Sequence, residues 1–301
     1  MAEPTFPTAL RTAAPPVRSR AKARVRRLAL GVDVGGSGVK AALVDIDTGT
    51  LLTERIRVAT PVPSTPAAVG RAISRLIKRT LASAEAGTPA DETGAGARPP
   101  IAVDLLAGIP VGVGIPSVVI DGVTKSAANI DAGWLDLDAD AALTKSLGRE
   151  VVMINDADAA GLAEMRFGAG RDRDGVVFVL TLGTGVGSGM FNDGRLVPNT
   201  ELGHMEIRGR DAEKRSASAA KIRRGLSWRA WAQDLDEHLL AIERLFSPKL
   251  IILGGGVSKS AEKFVPRLTV RVPVVAAELR NDAGIVGAAM AAAEHVGSAG
   301  T

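Results

Sequence analysis

The 301-residue chain contains no cysteine. That absence excludes disulfides, thiolate zinc sites, iron–sulfur clusters and a cysteine nucleophile. Tyrosine is missing too, and aromatic residues make up 3% of the chain, so Ala, Val, Leu, Ile and 34 Gly must build the interior. No stretch approaches the ~18 uninterrupted apolar residues of a membrane span, which predicts a cytoplasmic protein with no membrane partner. What is present is ample for folding: 46% apolar and 23% charged residues support a large core and exclude global disorder. At about 150 residues per domain, the length suits two domains.

The net charge of +4 is unevenly placed. Residues 1–27 hold seven Lys/Arg against Glu3 alone, a local +6, whereas the remaining 274 residues carry a net −2. This segment, with its four prolines, reads as a disordered basic tail; its Arg-rich, acid-poor composition also fits an organellar transit peptide. It is too short for a helix-turn-helix, so no specific nucleic-acid partner is expected. A second low-complexity stretch, Ser83–Pro100, reads as a surface loop.

Between these segments strands and helices alternate. Strand patterns cover Leu28–Val34, Val39–Asp45, Leu51–Val58, Val111–Ile115, Val151–Ile154, Val176–Leu182 and Leu250–Leu253. Helical patterns cover Pro66–Ser83, Leu137–Leu147, Asp156–Phe167, Ala212–Arg224, Trp228–Phe246 and Gly284–His295. The alternation predicts an α/β architecture. An internal repeat adds to it. LGVDVGGSGVKAALVDIDTGTL, from Leu30, and VLTLGTGVGSGMFNDGRLV, from Val179, share a strand, a polar residue (Asp33 or Thr181), a glycine-rich turn, a second strand and an Asp/Gly turn. Two related units 148 residues apart predict two similar halves facing one another.

The chemistry-bearing residues cluster at these turns. In Asp33-Val-Gly35-Gly36-Ser37-Gly38-Val-Lys40, glycines let backbone N–H groups approach an anion, and adjacent N–H groups form a nest for phosphate. Asp33 is a candidate Mg²⁺ ligand. Thr181, Gly183, Thr184 and Gly185 supply a second such turn, and Gly254-Gly255-Gly256 a third close-approach backbone. An ordinary glycine-rich hairpin is the bland alternative for the first. Asn155-Asp156 ends a strand and opens a helix, where Asp156 suits either an N-cap or a general base. Only three histidines exist, and His204 lies three residues after Glu201 beside Gly203, which suits polar work on a polyhydroxylated ligand. His204 with Glu206 makes only a weak metal set. Eight Lys/Arg between Arg208 and Arg229 face Asp211 and Glu213, either as a track for a polyanion or as a solvated face.

Together DVGGSGVK, NDAD at Asn155–Asp158, TLGTGVGSG, ELGH and LGGGVSK resemble the ROK family of sugar kinases, in order from Leu28 to His295. The resemblance implies two actin-like (ribonuclease H-like) ATPase domains facing across a cleft: residues 28–155, then 156–283, with helix 284–296 packing back on the first. Typical ATP-dependent members continue E-x-G-H into a cysteine-rich zinc motif. Here Glu206–Gly225 reads EIRGRDAEKRSASAAKIRRG, which, with LSWRAWA, is similar to the polyphosphate-using glucokinase and glucomannokinase branch, and no zinc is expected.

The resemblance implies phosphoryl transfer from polyphosphate or ATP, with Mg²⁺, to the 6-hydroxyl of glucose or mannose, by a homodimer. Asp156 would be the base; Asn129, Asn155, Glu201, His204 and Glu213 would bind the sugar. The glycine-rich turns would hold the donor phosphates. A strictly ATP-dependent hexose or amino-sugar kinase and a sugar-sensing regulator are the alternatives.

Overall fold

The structure, a computed structural model, describes residues 26–88 and 96–299. The expected tail therefore lies outside the described residues except for Arg26 and Arg27. These two join the fold: Arg27 pairs with Asp47, and its carbonyl accepts the Ile46 N–H.

The first sheet is built from β1 (Leu28–Gly35), β2 (Gly38–Asp45), β3 (Thr50–Leu51), β4 (Ile56–Val58), β5 (Val111–Ile115) and β8 (Val151–Asn155). Its strand order is β3-β2-β1-β5-β8, with β4 also on β2. Between these strands run α1 (Pro66–Ala86), α2 (Val103–Leu106), a small hairpin of β6 (Val119–Ile120) and β7 (Val123–Thr124), and α3 (Ala139–Leu147). Helix α1 starts where Thr65 caps the Ala68 N–H and Pro66 occupies the first turn. Its apolar stripe, including Ile73 and Leu76, packs with Leu30, Val113 and Trp134 into one core.

The second sheet contains β9 (Val176–Leu182), β10 (Val186–Asn192), β11 (Arg195–Val197), β14 (Leu250–Gly254) and β15 (Val274–Ala276), in the order β11-β10-β9-β14-β15. A hairpin of β12 (Glu206–Ile207) and β13 (Arg210–Asp211) precedes α5 (Glu213–Ser216), α6 (Ser218–Arg223) and α7 (Trp228–Phe246). Trp231, Leu235 and Leu239 of α7 pack on Phe178, Leu180 and Ile251. Apart from β4, the two sheets repeat the same sequence of pairings: two antiparallel, then two parallel. The sequence repeat is thus a repeat of sheet topology.

Two helices join the sheets. Helix α4 (Asp156–Phe167) turns Ala160 and Ala163 toward the first sheet, while Leu162 and Met165 pack against Val177, Val179 and Phe191 of the second. Helix α8 (Ala283–Ala299) lies on β1 and β5 and against α4. Its approach is close enough that side chains on Gly31 and Gly112 would run into the α8 backbone at Ile285 and Ala288.

Several expectations are corrected. The single strand expected over Leu51–Val58 is split into β3 and β4, because Thr53 Oγ1 accepts the Leu43 N–H at 3.1 Å where a strand carbonyl would otherwise do so. The helix expected over Ala212–Arg224 breaks at extended Ala217 (φ −62°, ψ 149°). There Ser218 Oγ and the Ala219 N–H both turn to the Gly183 carbonyl. Helix α1 runs to Ala86, so the expected loop begins later, and residues 89–95 lie outside the described set.

Candidate active site

The C-terminal ends of the parallel strands in both sheets open onto one cavity of about 600 Å³. Ligand sites in α/β sheets characteristically form at this end. The turn Gly36-Ser37 between β1 and β2 faces the Gly183–Gly185 loop between β9 and β10: a Cβ on Gly36 would lie 3.7 Å from Thr184 Oγ1. Gly254, Gly255 and Gly256 close the same wall after β14. Gly255 has φ +80° and sits against the Leu182 backbone, so glycine is required there on both counts.

All but one of the sequence-derived site residues line this cavity. They are Asp33, Gly35, Gly36, Ser37, Lys40, Asn129, Asn155, Asp156, Thr181, Gly183, Thr184, Gly185, Glu201, His204, Glu213 and Gly254–Gly256. Gly38 is the exception. It is buried in the first residue of β2, beneath the Arg57 guanidinium, which donates to the Ser37 carbonyl at 2.6 Å. Gly38 therefore serves the turn's geometry rather than its exposed face.

The N-cap of α4 is Asn155. Its Oδ1 accepts the Ala157 and Asp158 N–H groups at 2.9 and 3.1 Å, and its Nδ2 donates to the Ser117 carbonyl at 3.1 Å. One amide N–H is left for a ligand. With the cap supplied by its neighbour, the Asp156 carboxyl is released into the cavity. Burial raises it to about 7, the Asp33 carboxylate adds to the rise, and the Ala157 N–H opposes it. Near neutral pH the group is thus poised between acid and base rather than fully ionised.

Asp33 accepts a hydrogen bond from Lys40 Nζ at 2.7 Å through Oδ2, and its Oδ1 has no hydrogen-bond partner among the described residues. Glu201 is raised by burial, an effect lessened by His204 and increased by Glu213. Glu213 Oε2 accepts the Val186 N–H at 3.0 Å, which ties α5 to the second glycine-rich hairpin. His204 does not pair with Glu206. Its Nε2 lies 4.0 Å from Glu201 and its Nδ1 3.4 Å from Asp211, and one ligand atom from each of His204, Asp211 and Glu213 lies within 4.8 Å of the others, a grouping that could hold a metal ion without thiolates.

Sequence reasoning missed Arg280 and Asn281, in the turn before α8, and Gly284, in its first turn, which line the cavity. Gly284 comes so near that a Cβ would lie 3.2 Å from the Asp33 carboxyl carbon. No local pattern announces them, because α8 reaches Asp33 only through the folding-back of the chain. Asp158 was also passed over. It is 1% exposed, its Oδ2 accepts the Asn199 N–H at 2.7 Å, and burial raises it to about 7, an effect the Asn199 N–H opposes and Glu201 reinforces.

Comparison with known proteins places this geometry in context. The model of the ROK family matches residues 103–222. The chain is 44% identical over 270 residues to polyphosphate glucokinase of Mycobacterium tuberculosis strain H37Rv, covering 89% of this chain and 92% of that protein. It is similar in structure to an inorganic polyphosphate/ATP-glucomannokinase from Arthrobacter sp. strain KM, with a TM-score of 0.79 and 48% identity over 89% of this chain and 99% of that one. A ROK family glucokinase from Streptomyces griseus, solved with glucose and AMPPNP, is 26% identical with a TM-score of 0.70, covering 89% and 99%.

Proposed function

Because the chain belongs to the ROK family, we propose that it is a sugar kinase that moves a phosphoryl group from inorganic polyphosphate, with ATP as a second donor, to the 6-hydroxyl of glucose and of mannose. The observation that carries this reading is Asp156. Its carboxyl stands uncapped in a cavity where two glycine-rich turns face each other, at a pKa of about 7 that suits a general base.

Asp156 accepts the proton of the sugar 6-hydroxyl as the phosphoryl group arrives. The carboxyl group keeps that proton readily, since burial already favours its neutral form. The remaining N–H of Asn155, the carboxylates of Glu201 and Glu213, and the side chains of His204 and Asn129 hold the ring hydroxyls. Glu213 has Oε1 available for this, with Lys214 Nζ 3.5 Å away. Backbone N–H groups of Gly35, Gly36 and Ser37, of Thr184 and Gly185 and of Gly254–Gly256 receive the donor phosphates, while the Gly183 N–H is spent on the Gly185 carbonyl at 3.0 Å and shapes the loop. Positioning supplies most of the rate in such a transfer.

The residues present also fit a Mg²⁺ ion. Asp33 and Asp156 put two mutually repelling carboxyl groups on one cavity, and Asp33 keeps an oxygen free of Lys40. Bound there by Asp33, the ion would neutralise donor phosphate charge. The repeated sheets support a division into two actin-like halves, residues 28–155 and 156–283, facing across a cleft that holds the cavity, with α8 on the first half.

The test is product formation from glucose and mannose, each with long-chain polyphosphate or ATP and with or without Mg²⁺. Sugar 6-phosphate from polyphosphate is expected. Product from ATP alone would move the chain to the strictly ATP-dependent alternative, and no product from either donor would overturn the kinase reading.

A further inference from the structure

Beside the catalytic cavity lies a second depression, of about 810 Å³, lined by Arg208, Arg210, Lys214, Arg215, Arg223 and Arg224. Two carboxylates of α7 organise half of these cations. Glu237 accepts from Arg208 Nε at 2.6 Å and from Arg215 Nη1 at 2.7 Å. Asp234 accepts from Arg215 Nη2 and, at 2.6 Å, from Arg224 Nη1. Three guanidinium groups are thereby oriented before any ligand arrives, and further N–H groups of Arg208 and Arg224 have no partner among the described residues.

A self-satisfied ion-pair network would match its charges. Here Asp234 and Glu237 face six cations, and among the described residues Lys214 pairs with Glu213 alone, at 3.5 Å. Arg210 has no ion-pair partner among the described residues, and Arg223 donates only to the Lys214 carbonyl, at 3.2 Å. The surplus positive charge repels itself until an anion fills the depression.

The depression adjoins the transfer centre through two short paths. Glu213 lines the catalytic cavity and the next residue, Lys214, lines the depression. Helix α6 begins with Ser218 Oγ donating to the Gly183 carbonyl at 2.9 Å and ends at Arg223. Six residues of helix span about 9 Å. An anion that reaches from the Gly183 loop to the arginines at the far end of α6 must add at least this length to the part held at the transfer centre.

We propose that this depression holds the part of an inorganic polyphosphate chain that lies beyond the reacting end, which makes it a polyanion subsite distinct from the phosphate cradle of the glycine-rich turns. This inference rests on the reading of polyphosphate as donor. Arg210, Arg223, Lys214 and Arg208 contact the chain, while Asp234 and Glu237 keep the arginine row in place. A short donor ends before reaching it.

The test is the full-length double variant Arg210→Gln/Arg223→Gln, whose exchanged residues hold no ion pair that the fold depends on. The KM for long-chain polyphosphate is expected to rise about tenfold or more. The KM values for tripolyphosphate, ATP and glucose, and kcat itself, are expected to stay within twofold. The dependence of the long-chain KM on salt should become shallower, because fewer counterions are displaced. An unchanged long-chain KM, or an equal rise for tripolyphosphate, would overturn the subsite.

If the wild-type chain uses ATP alone, the functional reading fails, and direct titration with long-chain polyphosphate then decides the subsite independently. Binding weakened tenfold in the variant supports it, and equal binding sinks it. Preferential, tight binding of a short single-stranded RNA in place of polyphosphate would assign the depression to nucleic acid and likewise overturn the proposal.

Discussion

Asp156 can take a proton because it is not the residue that caps its helix. Asn155 spends its Oδ1 on the Ala157 and Asp158 N–H groups, so the neighbouring carboxyl escapes the strong stabilisation that a capping carboxylate receives. Burial and Asp33 then raise it to about 7. If it is the base, kcat/KM for glucose should climb with pH along an acid limb centred near 7 and level off above it, as a pH–rate profile would read out. A flat profile from pH 5.5 to 8 would exclude Asp156 as the base.

The same shift has a stability consequence. Between its ordinary value of 3.8 and about 7, the folded protein keeps a proton that the unfolded chain has lost. Stability from this group therefore falls as pH rises through that window. Asp156→Asn removes the penalty, so it should raise the Tm at pH 8 and change it little at pH 4, measured by thermal unfolding at both.

At the scale of elements, placement of the site depends on how tightly α8 lies on the first sheet. Gly31 and Gly112 let its backbone approach β1 and β5, and Gly287 does the same against the Ala159 carbonyl of α4. Gly112→Ala would set a methyl group against the Ala288 backbone, which cannot rotate aside as a side chain can. A loss of about 1–3 kcal/mol is expected in urea unfolding, with a raised KM for the phosphoryl donor as α8 lifts Gly284 from Asp33.

The limits of sequence reading also belong to this scale. Apolar runs and glycine-rich turns mark β1, β2, β9, β10 and β14 because burial on both faces and close backbone approach leave direct compositional traces. The break at Ala217 leaves none. Alanine favours helix, and the chain turns there because Gly183 takes Ser218 and Ala219 while Trp231 Nε1 donates to the Ser216 carbonyl. The cap of α4 was ambiguous because either member of Asn155-Asp156 can cap, and only the end of β8 decides. Arg280 and Asn281 reach the cavity through a fold-back that no local pattern encodes.

For the whole molecule, charge and topology separate into parts. The overall +4 belongs mainly to residues 1–27, and the net −2 of the remainder conceals the six-cation depression lined by the β12–β13 hairpin, α5 and the end of α6. Arg26 and Arg27 pair with Asp45 and Asp47, so a truncation should keep them. Removal of residues 1–25 is expected to leave kcat and both KM values within twofold, whereas further removal of Arg26 and Arg27 should lower the Tm.

Two sheets of one topology, joined by α4 and α8, converge on a single carboxyl group, and the most direct measurement is the turnover of Asp156→Asn. With glucose and polyphosphate, kcat should fall by about 10²–10⁴, while glucose still binds with wild-type affinity by calorimetry and the circular dichroism spectrum is unchanged. Turnover within a few-fold of wild type would contradict the account at its centre.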